Sequence, residues 1–108
     1  MIKNNIKIYA VRQGDLVYIK IDKLPKELQE IKTNIVLQNG SGGNSHSFKG
    51  GKFYKKKDGQ FIIGYLKANK TKIYHTEHSP KGDILKDGFY EIRRQNEETI
   101  NGLKQVID

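Results

Sequence analysis

The sequence contains no cysteine in its 108 residues. This absence excludes disulfides, thiolate nucleophiles and zinc sites built from thiolates. Any metal site must therefore use carboxylates and the three histidines, which are His46, His75 and His78. Residues 1–15 also lack the long apolar run and the small-residue cleavage site of a signal peptide. No stretch reaches the roughly 18 successive apolar residues of a membrane span, so we expect an intracellular or virion location and no membrane contact.

Arginine is scarce in an otherwise basic chain. The net charge is +8 with 20 basic residues, yet only three of these are arginine, the better reader of phosphates and bases. The lysines are spread along the whole chain, which favours a solvated basic surface that attracts acidic partners. The alternative is a nucleic-acid-binding β-barrel, and its contacts would come from Lys55, Lys56, Lys57, Arg93 and Arg94.

No long helical period occurs, and the apolar residues instead form short runs separated by turn signals. Residues 16–21 alternate, as in a strand with one buried face. Asp58-Gly59 and Asn101-Gly102 are strong hairpin signals, and Asp87-Gly88 is a further turn. We therefore predict one all-β domain over residues 1–108, an antiparallel sandwich or small barrel of about seven or eight short strands.

Four segments carry finer predictions. Pro25 can open one short helical turn, with Glu27 near its positive end. The glycine-rich segment 39–52 predicts a loop, or two short edge strands joined by a loop. Residues 68–70 predict a further reversal of the chain. The lysine run 55–57 lies beside the predicted turn at 58–59, where charge prevents an exposed strand edge from pairing with another chain.

The segment "YHTEHSP", residues 74–80, holds two of the histidines and is a candidate site. If the strand extends to Glu77, then Ile73, His75 and Glu77 share one face and His78 points to the other. A bend in the turn-forming residues that follow would bring His75 and His78 together, and His46 would approach from the glycine-rich segment.

Three imidazoles, or two imidazoles with Glu77, suit zinc or another divalent transition metal, with one position open for water. Glu77 would then be a ligand or the general base acting on that water. The alternative is a polar strand end, in which the histidines bond to backbone groups and Glu77 pairs with a surface lysine. The sequence leaves both interpretations open.

Four segments in the same order resemble a group of small uncharacterised β-rich proteins of bacteria and tailed phages. The segments are "RQGDLVYIKIDKLP", "GGNSHSF", "YHTEHSP" and "LKDGFYEIRRQNE". They correspond to a Gly-Asp-Val start, a Gly-His-x-His step, a His-x-Glu-His step and a Gly-x-Tyr…Arg-Gln-x-Glu ending. His46 matches the second histidine of the middle step, whereas Asn44 stands where the first is expected.

The resemblance implies a compact β-fold and a histidine-lined site, without implying a reaction. Its occurrence in phages implies a virion or assembly protein. From the sequence we expect a non-enzymatic binding or structural module that docks on a larger assembly, such as capsid proteins or copies of itself. The alternative is a metal-binding module or small metal-dependent enzyme that uses His46, His75, Glu77 and His78 to hold a divalent transition metal such as zinc.

Overall fold

The computed structural model describes residues 8–38, 45–57, 62–76, 79–94 and 106–107. These residues form strands joined by turns and contain no helix, so the all-β prediction is confirmed. No described helix is therefore long and apolar enough to cross a membrane. The strands are β1 (Ile8–Gln13), β2 (Leu16–Ile21), β3 (Leu28–Ile31), β4 (Ile35–Gln38), β5 (Ser45–Lys49), β6 (Lys52–Lys56), β7 (Ile62–Ala68), β8 (Thr71–His75), β9 (Ser79–Leu85), β10 (Gly88–Arg94) and β11 (Val106–Ile107).

The strands form two sheets. The large sheet has the order β11-β1-β2-β10-β7-β6-β3, and the small sheet has the order β4-β5-β8-β9. Neighbouring strands are antiparallel except β1 and β11, which are parallel. The chain crosses between the sheets several times. The strands outnumber the seven or eight predicted from the apolar runs, because β3 and β5 form where the sequence predicted a helical turn and a loop.

The core lies between the two sheets, as in a sandwich. Leu16 and Tyr18 of β2 face inward, as the sequence predicted, but Val17 on the opposite face is buried as well. The large sheet also contributes Phe53, Leu66, Ala68, Tyr90 and Ile92, and the small sheet contributes Val36, Phe48, Ile73 and Leu85. Phe48 and Phe53 meet across the sheets with ring centroids 6.2 Å apart. The apolar residues that face inward from the two sheets therefore form one shared core.

The helical turn expected after Pro25 does not form. Glu27 has a positive φ of 62°, and the chain then enters β3, which pairs with β6 from Leu28 opposite Lys56 to Ile31 opposite Phe53. Pairing of β3 with β6 outweighs the weak helical propensity after Pro25, because tertiary contacts readily override local propensity.

A bent two-stranded ribbon connects the sheets. One arm consists of β5 and β6, the other of β7 and β8; β6 pairs with β7 in the large sheet, and β5 pairs with β8 in the small sheet. The glycine-rich segment thus supplies a central strand, β5, rather than an edge. The reversal expected at residues 68–70 is instead a corner at which the ribbon passes from one sheet to the other. The turns predicted at 58–59 and 101–102 lie outside the described residues.

Two glycines, Gly50 and Gly51, make the corner. Their φ angles are +86° and +89°, values that side-chain-bearing residues rarely adopt. A Cβ on Gly51 would lie 2.4 Å from the carbonyl oxygen of Lys67, and a Cβ on Gly50 would lie 2.8 Å from that of Lys70. The two arms can approach this closely only because both residues lack a side chain.

We expect Gly51→Ala to lower the free energy of unfolding by about 2 kcal/mol or more, because it adds a collision with backbone to a strained φ. Gly82→Ala is the matched control. Its φ is also +89°, but the added Cβ would meet the Tyr74 side chain, which can move. This control should cost about 1 kcal/mol. Urea denaturation of both variants measures the difference, and equal costs would contradict the backbone collision at the corner.

Two buried tyrosines provide a second comparison. The Tyr90 hydroxyl donates to the Lys86 carbonyl oxygen at 2.5 Å, whereas the buried Tyr18 hydroxyl has no hydrogen-bond partner in the described structure. We expect Tyr90→Phe to destabilise the domain by about 1 kcal/mol and Tyr18→Phe to be neutral or stabilising, since it removes an unsatisfied polar group. Equilibrium denaturation distinguishes the two; a loss of stability in Tyr18→Phe equal to that in Tyr90→Phe would contradict the assignment.

Candidate metal centre

Two of the histidines face each other inside the sandwich. His46 on β5 pairs directly with His75 on β8, and both side chains point to the inner face of the small sheet. Their exposed fractions are 0% and 2%, and their ring centroids are 4.4 Å apart. His75 shares the inner face with buried Ile73, as the alternation of the sequence predicted. The ribbon thus brings together two residues that are far apart in the sequence.

The large sheet contributes Asp15 to the same place. Asp15 is the second residue of the two-residue turn between β1 and β2, and Gly14 supplies the positive φ of 61° at the first position. Its Oδ1 lies 2.7 Å from Nε2 of His46, and its Oδ2 accepts a hydrogen bond of 3.3 Å from Nη1 of Arg94. One ligand-type atom from each of Asp15, His46 and His75 lies within 4.8 Å of the others.

Sequence reasoning missed Asp15. Glycine followed by aspartate is a common turn signal, and Asp15 lies 31 residues before His46. A signal was nevertheless present, because the Gly14-Asp15 pair belongs to the Gly-Asp start of the resemblance and therefore accompanies the histidine steps. Only the docking of the β1–β2 turn against the small sheet places the carboxylate beside the imidazoles.

The charge states of Asp15 and His46 follow from their surroundings. Burial acts to raise the pKa of Asp15, but hydrogen bonds with His46 and with its own backbone, together with the Arg94 cation, bring it below the ordinary value. Burial is the main cause that lowers the pKa of His46, despite the opposing hydrogen bond with Asp15. A neutral imidazole therefore donates its Nε2–H to an ionised carboxylate. A metal ion bound between the two groups would replace the shared proton, because Nε2 must be unprotonated to act as a ligand.

One ring nitrogen of His46 is unsatisfied. Nδ1 is buried and has no hydrogen-bond partner in the described structure. Buried imidazole nitrogens are normally paired, because an orphaned polar atom costs about 1–3 kcal/mol. The unpartnered Nδ1 is a different atom from the Nε2 that faces Asp15, so Nε2 is the nitrogen that His46 offers to the cluster.

The separation of the three groups suits a metal after small side-chain movements. In a tetrahedral zinc site with bonds of about 2.0–2.1 Å, ligand atoms lie about 3.3 Å apart. His46 and Asp15 are somewhat closer than this at 2.7 Å, and the remaining pairs lie within 4.8 Å. Adjustments on the order of 1 Å would bring all three atoms to one ion.

Gln13 ties the two sheets together next to the cluster. Its buried side-chain amide donates to the Ile73 carbonyl oxygen at 3.0 Å and to Oδ2 of Asp83 at 3.1 Å. Ser79 also donates to Oδ2 of Asp83, at 2.6 Å. Because Ile73 lies two residues before His75 on β8, these bonds fix the strand that carries His75 against β1. The cluster therefore has a rigid support from both sheets.

The other residues predicted from the sequence lie in different places. Glu77, His78 and Asn44 lie outside the described residues, so the part of Glu77 and His78 in the ligand set stays a prediction. Lys55, Lys56 and Lys57 are exposed at the end of β6. The exposed Arg93 and Arg94 each contact an acid, namely Glu91 and Asp15.

We expect Gly14→Ala to damage the cluster. The added Cβ would lie 2.8 Å from Nε2 of His75, and the φ of +61° is itself unfavourable for alanine. A double-mutant cycle measures the contact: Gly14→Ala should cost about 2 kcal/mol in the native background and about 1 kcal/mol in the His75→Ala background, where the collision is absent. Equal costs in the two backgrounds would mean that Gly14 and His75 do not touch.

Comparison with known proteins places the chain in a family. No curated protein and no solved structure matches the chain. Residues 12–95 match the family described as a domain of unknown function, DUF8820. The match begins just before the Gly14-Asp15 turn and includes β5, β8 and β10, so it contains the whole Asp15–His46–His75 cluster. Since it covers most of the 108 residues, the chain belongs to the DUF8820 family.

Proposed function

We propose that this domain is a non-enzymatic binding module whose two sheets are cross-linked by a divalent transition metal held by Asp15, His46 and His75. The observation that carries the proposal is the convergence of the three groups within 4.8 Å, two of them on fully or almost fully buried side chains. Asp15 comes from the large sheet and the histidines from the small sheet. A metal bound there would join the sheets directly.

Zinc fits these ligands best. Two imidazole nitrogens and one carboxylate oxygen form a mixed set that suits zinc and other late first-row metals, whereas calcium and magnesium prefer oxygen ligands throughout. Three protein ligands leave a fourth position for water or for a group from a partner. The cluster meets solvent through Asp15, whose side chain is 43% exposed, so an ion can enter from that side.

A structural role accounts for the burial better than a catalytic one does. With exposures of 0% and 2%, His46 and His75 lie within the sandwich rather than in a cleft that could admit a substrate. Metal binding releases free energy only in the folded state, where the ligands converge, and therefore stabilises the fold. Joining the sheets would hold the outer surfaces in a fixed relation for contact with a partner.

For the wider role we propose docking on a larger assembly, as expected from the sequence, with a phage virion as the first candidate. The support is an exposed apolar position on β9, an edge strand of the small sheet: Ile84 is 76% exposed. Edge strands with apolar side chains readily add to a neighbouring sheet. A domain that stays monomeric and fails to co-sediment with the assemblies of its source would contradict this role.

The metal proposal predicts stoichiometric binding. Titration of the metal-free protein with zinc should give one equivalent, and Asp15→Asn and His75→Ala should abolish it. When free zinc exceeds the dissociation constant 100-fold, the free energy of unfolding should rise by about 2.7 kcal/mol in the native protein and stay unchanged in both variants. Calorimetric titration and thermal denaturation with and without zinc measure these quantities.

The matched control is Asp22→Asn, which also removes one carboxylate but at an exposed position. It should keep the one-to-one stoichiometry and the stabilisation by zinc. Cobalt provides an independent readout, since the intensity of its visible bands reports the coordination geometry. The absence of binding by the native protein, or unaltered binding by His75→Ala, would refute the site.

A further inference from the structure

A second charged feature lies at the bend of the ribbon, on its outer surface. In the small sheet Lys49 lies directly opposite Lys72, and in the large sheet Lys52 lies directly opposite Lys67. The fifth member, Lys70, lies in the turn between β7 and β8 and has a positive φ of 52°. All of these side chains are exposed. We call Lys49, Lys52, Lys67, Lys70 and Lys72 the lysine corner.

The pairing of like charges has an energetic cost. Residues directly opposite each other on antiparallel strands have Cβ atoms about 4.5–5.5 Å apart, and like charges at this separation destabilise a sheet. Within the described part of the chain, none of the five ammonium groups lies within ion-pair distance of a carboxylate. Two such pairs, one on each side of the same bend, are better explained by an anionic ligand than by sheet stability.

Two acids lie near the corner and do not neutralise it. Glu30 forms its ion pair with Lys32 at 3.1 Å; Lys32 is the main cause that lowers the pKa of Glu30, and Lys52 acts only through its charge at longer range. Asp87 accepts a hydrogen bond of 2.9 Å from the backbone N–H of Lys70. The lysine corner thus keeps its excess positive charge.

The surface between the arms provides room for a small anionic group. A cleft of about 180 Å³ is lined by Gly51, Lys52, Lys67 and Asn69. The facing pair of ammonium groups and the short glycine bend lie around the same cleft. A phosphate group placed there would contact Lys52 and Lys67 together and would relieve their mutual repulsion.

Aromatic side chains extend the corner in both directions. Tyr54 lies two residues beyond Lys52 and Tyr74 two residues beyond Lys72, so each shares the outer face with its lysine. Both rings are half-buried, and Tyr74 lies against Gly82, where a Cβ would be only 2.7 Å away. Lysines that follow a backbone, flanked by partly exposed aromatic rings, are the combination that proteins use for unpaired bases.

We propose that the lysine corner binds single-stranded nucleic acid through its phosphates, independently of base sequence. The absence of arginine from the corner supports sequence independence, because bidentate reading of bases relies largely on arginine and amide side chains. The two arginines of β10 each contact an acid instead. The site is distinct from the run Lys55–Lys57 and does not depend on the Asp15–His46–His75 cluster.

The test measures fluorescence anisotropy of a labelled oligothymidylate of about 20 nucleotides mixed with the 108-residue chain. Salt is varied from about 25 to about 200 mM. With about four phosphates neutralised, the logarithm of the binding constant should fall with the logarithm of salt at a slope of about −3. At low salt, Lys52→Gln/Lys67→Gln and Lys49→Gln/Lys72→Gln should each weaken binding by about tenfold or more and should flatten the slope.

Lys55→Gln/Lys56→Gln is the matched control, because it removes the same charge from the other end of β6. It should change affinity by less than about threefold. Lys52→Arg/Lys67→Arg should retain binding, and circular dichroism checks the fold of every variant. Three outcomes would overturn the proposal: no binding at the lowest salt, an equal loss in the control, or equally tight binding of polyglutamate, which would identify an acidic protein as the partner.

Discussion

The register of the bent ribbon is the constraint on which the rest of the structure depends. Gly50 and Gly51 let its two arms approach to within backbone contact, and this approach sets β5 against β8 and β6 against β7. The same register places His46 opposite His75 and Phe48 opposite Ile73. A shift by one residue would turn the histidines outward and remove Phe48 from the core, since side chains alternate across a strand.

The histidine end of the ribbon is polar where a small sandwich would ordinarily be apolar. Gln13, His46 and His75 are all buried there, and Gln13 Oε1 and His46 Nδ1 have no hydrogen-bond partner among the described residues. A domain of this size has little stability in excess, so unsatisfied groups at one end of its core are expensive. A metal at Asp15, His46 and His75 would offset part of this cost, because it would bind only the folded state and would join the sheets. This argument connects the chemistry of the cluster to the stability of the fold.

The end of the ribbon at His46 and the bend at Gly50 and Gly51 thus have different properties. The end is buried, carries a carboxylate with two imidazoles, and joins the β1–β2 turn to the small sheet. The bend is exposed, carries facing lysines and has no arginine. We propose a different kind of ligand for each, a small cation inside and a polyanion outside. The strand pairs between them connect the two places directly.

By itself, the sequence determined the all-β class, the inward face of Leu16 and Tyr18 and the common face of Ile73 and His75. These features follow from local patterns with a period of two residues. It also placed His46 and His75 in a candidate set of four residues with Glu77 and His78. The sequence did not predict the strand Leu28–Ile31. The local pattern after Pro25 indicated a helical turn, and only pairing with β6 outweighed that weak signal.

Only the tertiary structure decided that Asp15 completes the cluster and that facing lysines line the corner. Both depend on contacts between residues that are distant in the chain, and neither has a local spacing that distinguishes it from an ordinary turn or a solvated charge. Asp15 reaches His46 because the β1–β2 turn of one sheet docks on the other, and Lys52 meets Lys67 because the ribbon folds back on itself. A sequence specifies such contacts only through the fold as a whole, since packing and register together determine which side chains meet.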